Sequence, residues 1–535
     1  MNSQVSPSAR ACAEWANRIL ILSLAGIVCL TLFPFRFDAA FRQHAGASAL
    51  LLGTSPKYLP FWDWFLNCLL FLPFGFGLSA QLRKRGMTRT VIVVVAFAAG
   101  AITSYLVEFL QFYIPSRNSG WDDVGPNTGG AVAGSLLLIL LGEPILGLLT
   151  KWEMSLDAGL SIRRVSLIVA AYLAIWFGIS IPLQLMTRLS DWDPSMPLLV
   201  GNDGTARHAW RGQIYRLQIW NRAVPEDLAR KFTAGEIAPL QDAGLLASYE
   251  FTGSPPYQDQ RKALPDLAWI SSTPPPPRDA KGLDLDGSSW LRSVAPVSGL
   301  AAELKSTHQF AVHAVCAPAN VAELDQRVVS ISSASGWPNL TLRRVGASLV
   351  VWFRNPLSLQ QEQLNWNVRG VFAAGKMRDI LVSYDGSNAS LYVDGTKIYP
   401  SYHLSPGAGL VRQFYRLRTT ELDAHLVLYD AVIFVPAGFL LGLLARRWNS
   451  IGLVGKALLF LALVLPGGFF EWILVQVSGR ALSRWQLVLC VVQTLLGVWL
   501  INADRWVGHG LWSGWSAWRR RDSTAHQEQD EVTAS

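Results

Sequence analysis

The chain has 535 residues and a mass of 58.9 kDa, which excludes a single small domain. With 51% hydrophobic residues, 16% charged residues and a mean hydropathy of +0.26, it is too apolar for an ordinary soluble or disordered protein. It is also too polar to be membrane-embedded throughout. Lys and Arg (46) exceed Asp and Glu (38), and the excess sits beside apolar runs, which argues for membrane boundaries rather than a nucleic-acid face.

Apolar runs able to cross about 30 Å of hydrocarbon occupy residues 17–35, 60–82, 90–114, 126–150 and 164–187. The first lacks an A-x-A cleavage site and runs into FPFRFD, so it reads as an uncleaved anchor. Arg83, Lys84, Arg85 and Arg89 fill the second loop, and Lys151, Arg163 and Arg164 the fourth. The positive-inside rule then makes both loops cytoplasmic, with the 115–125 loop and everything from about 190 to 420 outside. Trp62, Trp64 and Trp121 mark segment edges, as interfacial aromatic belts require. Cys12, Cys29, Cys68, Cys316 and Cys490 show no metal-binding spacing and imply neither a zinc site nor a disulfide framework.

A set of polar residues gathers at the outer ends of the first helices. Asp63 and Asn67 are four apart on one helical face, as are Ser104, Glu108 and, a turn on, Gln111. The following loop adds Arg117, Asp122 and Asp123, and GPNTGG places Asn127 near the start of the fourth helix. An acid at membrane depth needs a partner, and Arg117 is the one expected for Glu108. The competing reading is structural: Asp122 and Asp123 complement a helix N-terminus, and Glu108 with Arg117 is an ion pair holding helices together. Gly130 and Gly134 form GxxxG, suited to close helix approach; the strand that precedes a phosphate-binding loop is missing.

At these residues the chain resembles the VanZ-like family, known for a membrane protein associated with glycopeptide (teicoplanin) resistance. The resemblance rests on DWFLNCLLFLPFGFGL from Asp63 and SYLVEFLQFYIPSRNSGWDDVGPNTGGAVAG from Ser104, within residues 17–150. It implies a bacterial helical membrane domain and supplies no reaction.

After a linking membrane helix (151–189), residues 190–423 change to short alternating runs such as GQIYRLQIW, LLASYEF, GLDLDGSSWL, RVVSIS, NLTLRRV, SLVVWF and DILVSY. Gly, Asp and Asn punctuation between them predicts an all-β sandwich. LLASYEFTG, LDLDGSSWL and DILVSYDGSNASLYVDGTKI resemble laminin-G-like, concanavalin A-like jelly rolls, although WRGQIYRLQIWNRAVPEDLA, similar to their closing strand, here comes first. Such folds often recognise glycans, sometimes with calcium, for which Asp203, Asp284 and Asp286 are candidates; turn formation is the plainer role.

Three more apolar runs follow at 424–445, 452–477 and 484–502, then a basic tail, 503–535, with Trp512, Trp515, Trp518 and Arg519, Arg520 and Arg521, suited to an anionic lipid surface. Adding 363 maps Phe71, Pro73, Gly75, Phe76, Glu108, Arg117 and Gly134 onto identical residue types, ending with Glu471, Arg480 and Gly497. A duplicated, degenerate VanZ-like unit is expected. At the same offset Gln111 becomes Leu474, Asp123 becomes Gln486 and Asn127 becomes Cys490, which marks the first copy's polar residues as site candidates.

The fold class expected is therefore mixed: a polytopic α-helical membrane protein of about eight helices with an extracytoplasmic β-sandwich, in a bacterial inner (cytoplasmic) membrane. The function expected is handling of a wall precursor, polysaccharide or glycopeptide at an outward polar site, with the lipid bilayer as partner and no nucleic acid. Transport is an alternative, as is a membrane hydrolase or transferase with Glu108 or Asp123 as base. No His joins the cluster and no nucleophile arrangement is visible, so enzyme activity is not the favoured reading. No cofactor beyond calcium is expected.

Overall fold

The computed structural model describes residues 7–32, 35, 37, 61–114, 119–159, 161–239, 242–271, 274–277, 281–319, 325–334, 338–358, 364–373, 375–414, 417, 419, 422–446 and 452–510. Among the described residues, eight helices are long and apolar enough to cross a membrane. Five precede the β region: α1 (Pro7–Leu32), α2 (Phe61–Lys84), α3 (Arg89–Gln111), α4 (Val124–Gly159) and α5 (Ile162–Leu185). The β region contains three short helices, α6 (Glu226–Thr233), α7 (Ser298–Thr307) and α8 (Pro406–Arg412). Then come α9 (Leu422–Ala445), α10 (Leu453–Ser478) and α11 (Arg484–Gly510). The expected spans agree with these to within a few residues except at three ends, where the helices run further: α1 begins at Pro7, α11 continues past 502 to Gly510, and α4 continues past 150 to Gly159. KWEMSL is polar enough to fall outside a hydropathy window, yet Glu153 within it is buried by ion pairing. The protein is thus a multi-pass membrane protein with a β insertion.

The chain divides into two compact units: residues 1–176 with 430–468 and 484–535, and residues 177–429 with 469–483. In the first unit, glycines let helices meet backbone to backbone. A side-chain carbon on Gly75 would stand 1.9 Å from the Ala131 carbonyl oxygen, and one on Gly134 would stand 2.0 Å from that of Leu72. These contacts lock α2 onto α4, the role expected for GxxxG. The same approaches recur 363 residues on, where carbons on Gly438 and Gly497 would stand 2.0 Å from the Thr494 oxygen and 2.1 Å from the Val435 oxygen. At the opposite ends of these helices from the polar cluster, Arg18 of α1 donates to Glu153 at 2.6 Å and Arg446, just past α9, donates to the same carboxylate at 2.5 Å. Arg446 also reaches the Ile501 carbonyl on α11.

The second unit holds two antiparallel sheets. One orders its strands β11-β10-β9-β8-β1-β6-β4 and the other β14-β13-β12-β7-β2-β3, with β5 also pairing β2. In the first sheet, β1 is Leu198–Val200, β4 Leu267–Ile270, β6 Trp290–Ser293, β8 Gln326–Ile331, β9 Leu340–Val345, β10 Ser348–Phe353 and β11 Trp366–Val368. In the second, β2 is Arg211–Trp220, β3 Leu245–Glu250, β5 Leu283–Asp286, β7 Phe310–Pro318, β12 Arg378–Tyr384, β13 Asn388–Val393 and β14 Thr396–His403. Inward residues of both, including Leu217, Phe251, Leu340, Phe353, Ile380 and Leu391, form one continuous core. The segment GLDLDGSSWL supplies two strands, not one: β5 joins one sheet and β6 the other, the chain turning at Gly287 with φ of 89°. The strand expected to close the sandwich, β2, lies inside its sheet between β7 and the edge strand β3.

Candidate functional site

The polar residues singled out by sequence converge at one end of α1–α4. The first turn of α2 carries Asp63, half-exposed, where its charge complements the helix dipole. One turn on, the Asn67 amide donates to Asp123 Oδ1 at 2.6 Å. Asp123 closes a short 3-10 turn, Trp121–Asp123, that runs directly into α4. Beside it the Cys68 thiol donates to the Pro126 carbonyl at 3.1 Å.

The buried face of α3 meets this end of α4. Asn127 donates through Nδ2 to Ser104 Oγ at 2.9 Å. Glu108 accepts from the Gly120 N–H at 2.8 Å and from the Ser119 hydroxyl, with Asp122 and Asp123 close enough to interact with its charge. Gln111 donates to the Thr31 carbonyl of α1 at 3.0 Å, so it ties α3 to α1. Asn67, Glu108, Asp122, Asp123 and Asn127 are thus brought into one locality, while Gln111 faces the α1 seam. Arg117 lies outside the described residues, as do the tail residues Trp512, Trp515, Trp518 and Arg519 to Arg521. The offset counterpart of the Glu108 pair is described: Glu471, fully buried, accepts from Arg480 at 2.5 Å and from the Ser483 N–H at 2.6 Å. Ser483 stands 363 residues after Gly120, so the two glutamates accept from equivalent backbone positions.

One atom in the cluster is unsatisfied. Asn127 is 3% exposed, and its Oδ1 has no hydrogen-bond partner among the described residues. A buried acceptor left bare costs about 1–3 kcal/mol. The atom therefore marks a place where a donor from a bound group or water is stabilising.

In the sandwich, two of the three aspartates considered for calcium, Asp203 and Asp286, have other work. Asp203 accepts from the Thr205 N–H at 3.0 Å and hydroxyl at 2.6 Å, from His208 at 2.6 Å, and stands 3.4 Å from Arg327 Nε. Burial opposes its ionisation, but the Thr205 hydroxyl and the His208 and Arg327 charges outweigh that and hold its carboxyl below the ordinary range. Asp286 accepts from the Ser288 N–H at 2.8 Å, forming a turn, and Asp284 lies on the exposed side of β5 opposite Gln213. No group of three or more His, Cys, Asp or Glu able to hold a metal occurs among the described residues.

The fold and cluster define a multi-pass helical membrane protein with an inserted β-sandwich and a polar locality at the ends of its first four helices. Residues 20–142, the segment that builds that locality, match the VanZ/LLP1 family model. No curated protein and no solved structure matches the chain.

Proposed function

We propose that the chain is a VanZ-like protein of the bacterial cell envelope that binds a polar group of an envelope component, a wall precursor, polysaccharide or glycopeptide, at the α1–α4 cluster. The observation that carries this reading is the buried, unsatisfied Asn127 Oδ1 beside the Asn67–Asp123 pair, within the segment that matches the family model. Binding rather than chemistry is favoured because, among the described residues, the cluster pairs no nucleophile with a base: the Ser104 hydroxyl is held by Asn127, the Cys68 thiol donates to the Pro126 carbonyl, and no histidine joins them. A carrier site at the bilayer midplane is disfavoured because Asp123 and Asn127 sit at and just inside the start of α4.

The basic loops after α2 and α4 support cytoplasmic placement, which puts the cluster and the sandwich outside. The sandwich then contributes glycan or protein contact in the manner of the laminin-G-like domains it resembles. Thiol labelling of intact cells should reach Met377→Cys, on the exposed surface of the sandwich, and spare Arg85→Cys; the reverse pattern would overturn the topology. The site is tested in a deletion strain challenged with envelope stress, including teicoplanin. Asp123→Ala and Asn127→Ala should lose at least tenfold in tolerance at normal abundance, whereas Gln486→Ala and Cys490→Ala should not. Full tolerance of the first two at normal abundance would reduce these helices to an anchor.

A further inference from the structure

The two sheets of the sandwich treat their outer faces differently. On the sheet containing β2, the amphipathic α6 covers the outer face, with Phe232 stacked on Trp220 at 6.0 Å and Leu381 and Tyr392 beneath. On the other sheet a cleft of about 330 Å³ opens instead. That volume falls within the ~300–1,000 Å³ usual for small-ligand sites.

Strand register builds its floor. Ser330 pairs with Thr341, and Thr341 with Trp352. The pairing of Val351 with Trp366 brings Asn365 opposite Trp352 one step further. Leu340, Leu342, Val351 and Phe353 face the core, so the alternate residues of this transverse row face outward. One row along, Arg327 and Arg343 are cross-strand partners and form a cationic wall. The loop carrying Asp203 and His208 closes the other side.

Two features show that this is a built site. Thr341 is 6% exposed, lines the cleft, and its hydroxyl has no partner among the described residues. The charges are also braced: Asp203 holds His208 and Arg327, while Asp325, outside the lining, pairs with Arg327 and stands 3.8 Å from Arg343. Along the lining, two guanidinium groups and a histidine face Asp203, and Asp325 behind them stands 3.8 Å from His208 as well as from Arg343. Planar guanidinium groups suit a carboxylate, while hydroxyl and amide groups beside an indole suit a ring with polar edges and an apolar face.

We propose that this cleft binds an acidic sugar unit, its carboxylate held by Arg327 and Arg343 and its ring hydroxyls by Thr341 and Asn365. This deepens the glycan-contact reading of the sandwich and rests on it. The test uses the full chain in nanodiscs with a glucuronate-bearing tetrasaccharide, its methyl ester, and inorganic phosphate as probes, by calorimetric titration. The acid should bind at least tenfold more tightly than the ester, and millimolar phosphate should not displace it. Arg343→Gln should abolish the preference for acid over ester, Arg343→Lys should keep part of it, and Thr341→Val should weaken both sugars about tenfold, all with unchanged thermal unfolding. If either arginine variant shifts unfolding, Asn365→Ala replaces it and should weaken acid and ester alike. Equal affinity for acid and ester would overturn the charge assignment while leaving glycan contact standing. Binding of neither sugar, or displacement by phosphate, would remove the sugar site altogether. The tolerance phenotypes of Asp123 and Asn127 variants are read separately and do not depend on either result.

Discussion

The three helices α2–α4 and the three helices α9–α11 share a register, and their differences are more informative than their likeness. Shared are the close approaches of Gly75 and Gly438, those of Gly134 and Gly497, and the glutamate that accepts from a loop N–H. The Asn67–Asp123 pair of the first trio becomes Asp430–Gln486 in the second, with Gln486 donating to Asp430 at 3.3 Å. Amide and acid have exchanged helices. Read from sequence, Asp123 becoming Gln486 looks like the loss of a charge; with the partner included, each trio keeps one acid and one amide. Gln111 becoming Leu474 also has a packing reason, because Gln111 bonds α1 and the residues 363 after α1 belong to the sandwich. What remains distinctive is Ser104 with Asn127, replaced by Gly467 and Cys490, whose Cβ stands 2.9 Å from where a carbon on Gly467 would be.

The glutamates give the strongest way to break this comparison. Arg480→Gln strands a fully buried carboxylate and should cost about 3–5 kcal/mol, seen as lost folded yield in detergent. Arg117→Gln should lose yield to the same degree; if it does not, the first trio balances Glu108 differently. Next come the glycines, where Gly75→Val and Gly438→Val should each destabilise by about 1–3 kcal/mol in thermal unfolding. Gly129→Ala, whose new carbon meets nothing within 4 Å, serves as control and should be nearly neutral. A smaller effect tests the exchanged pair: Asp123→Ala should cost about 1 kcal/mol, and the double change Asn67→Asp with Asp123→Gln should recover most of it. Failure to recover would mean that the two arrangements are not equivalent. Smallest in stability and sharpest in function is Ser104→Gly with Asn127→Cys, which writes the second trio's residues into the first. It should change unfolding by less than about 1 kcal/mol, since it removes a bare acceptor as well as a hydrogen bond, and should abolish stress tolerance.

Much of the fold was legible in the sequence because its signals are local. Apolar runs of span length placed all eight helices, and period-two alternation placed β2, β3, β7 to β10, β12 and β13. Three-residue β1 and β11 carry too little pattern to announce themselves, and the division of GLDLDGSSWL between sheets depends on a turn whose consequence is tertiary. The helical cluster was legible as a set of residues but not as a set of bonds. The Asn67–Asp123 contact joins positions 56 apart, and its exchange in the second trio shows only when both partners are seen together. Of the cleft, the sequence singled out Asp203 alone, and for calcium rather than for a sugar. Outward-facing Thr341, Arg343 and Trp352 were visible as strand alternation, but their alignment with Ser330 and Asn365 needs the register.

Glu153 bears on how the protein is made. Its two arginine partners lie on opposite sides of it in the chain: Arg18 is translated first, and Arg446 follows 293 residues after Glu153. At synthesis rates of about 5–20 residues per second, that delay is about 15–60 s, during which the whole sandwich must emerge. For that interval Arg18 is the available counter-ion for Glu153, so the early helices can assemble without an uncompensated buried acid while the ribosome completes the insertion. If the early helices pair first, Arg446 meets a carboxylate that Arg18 already holds in place.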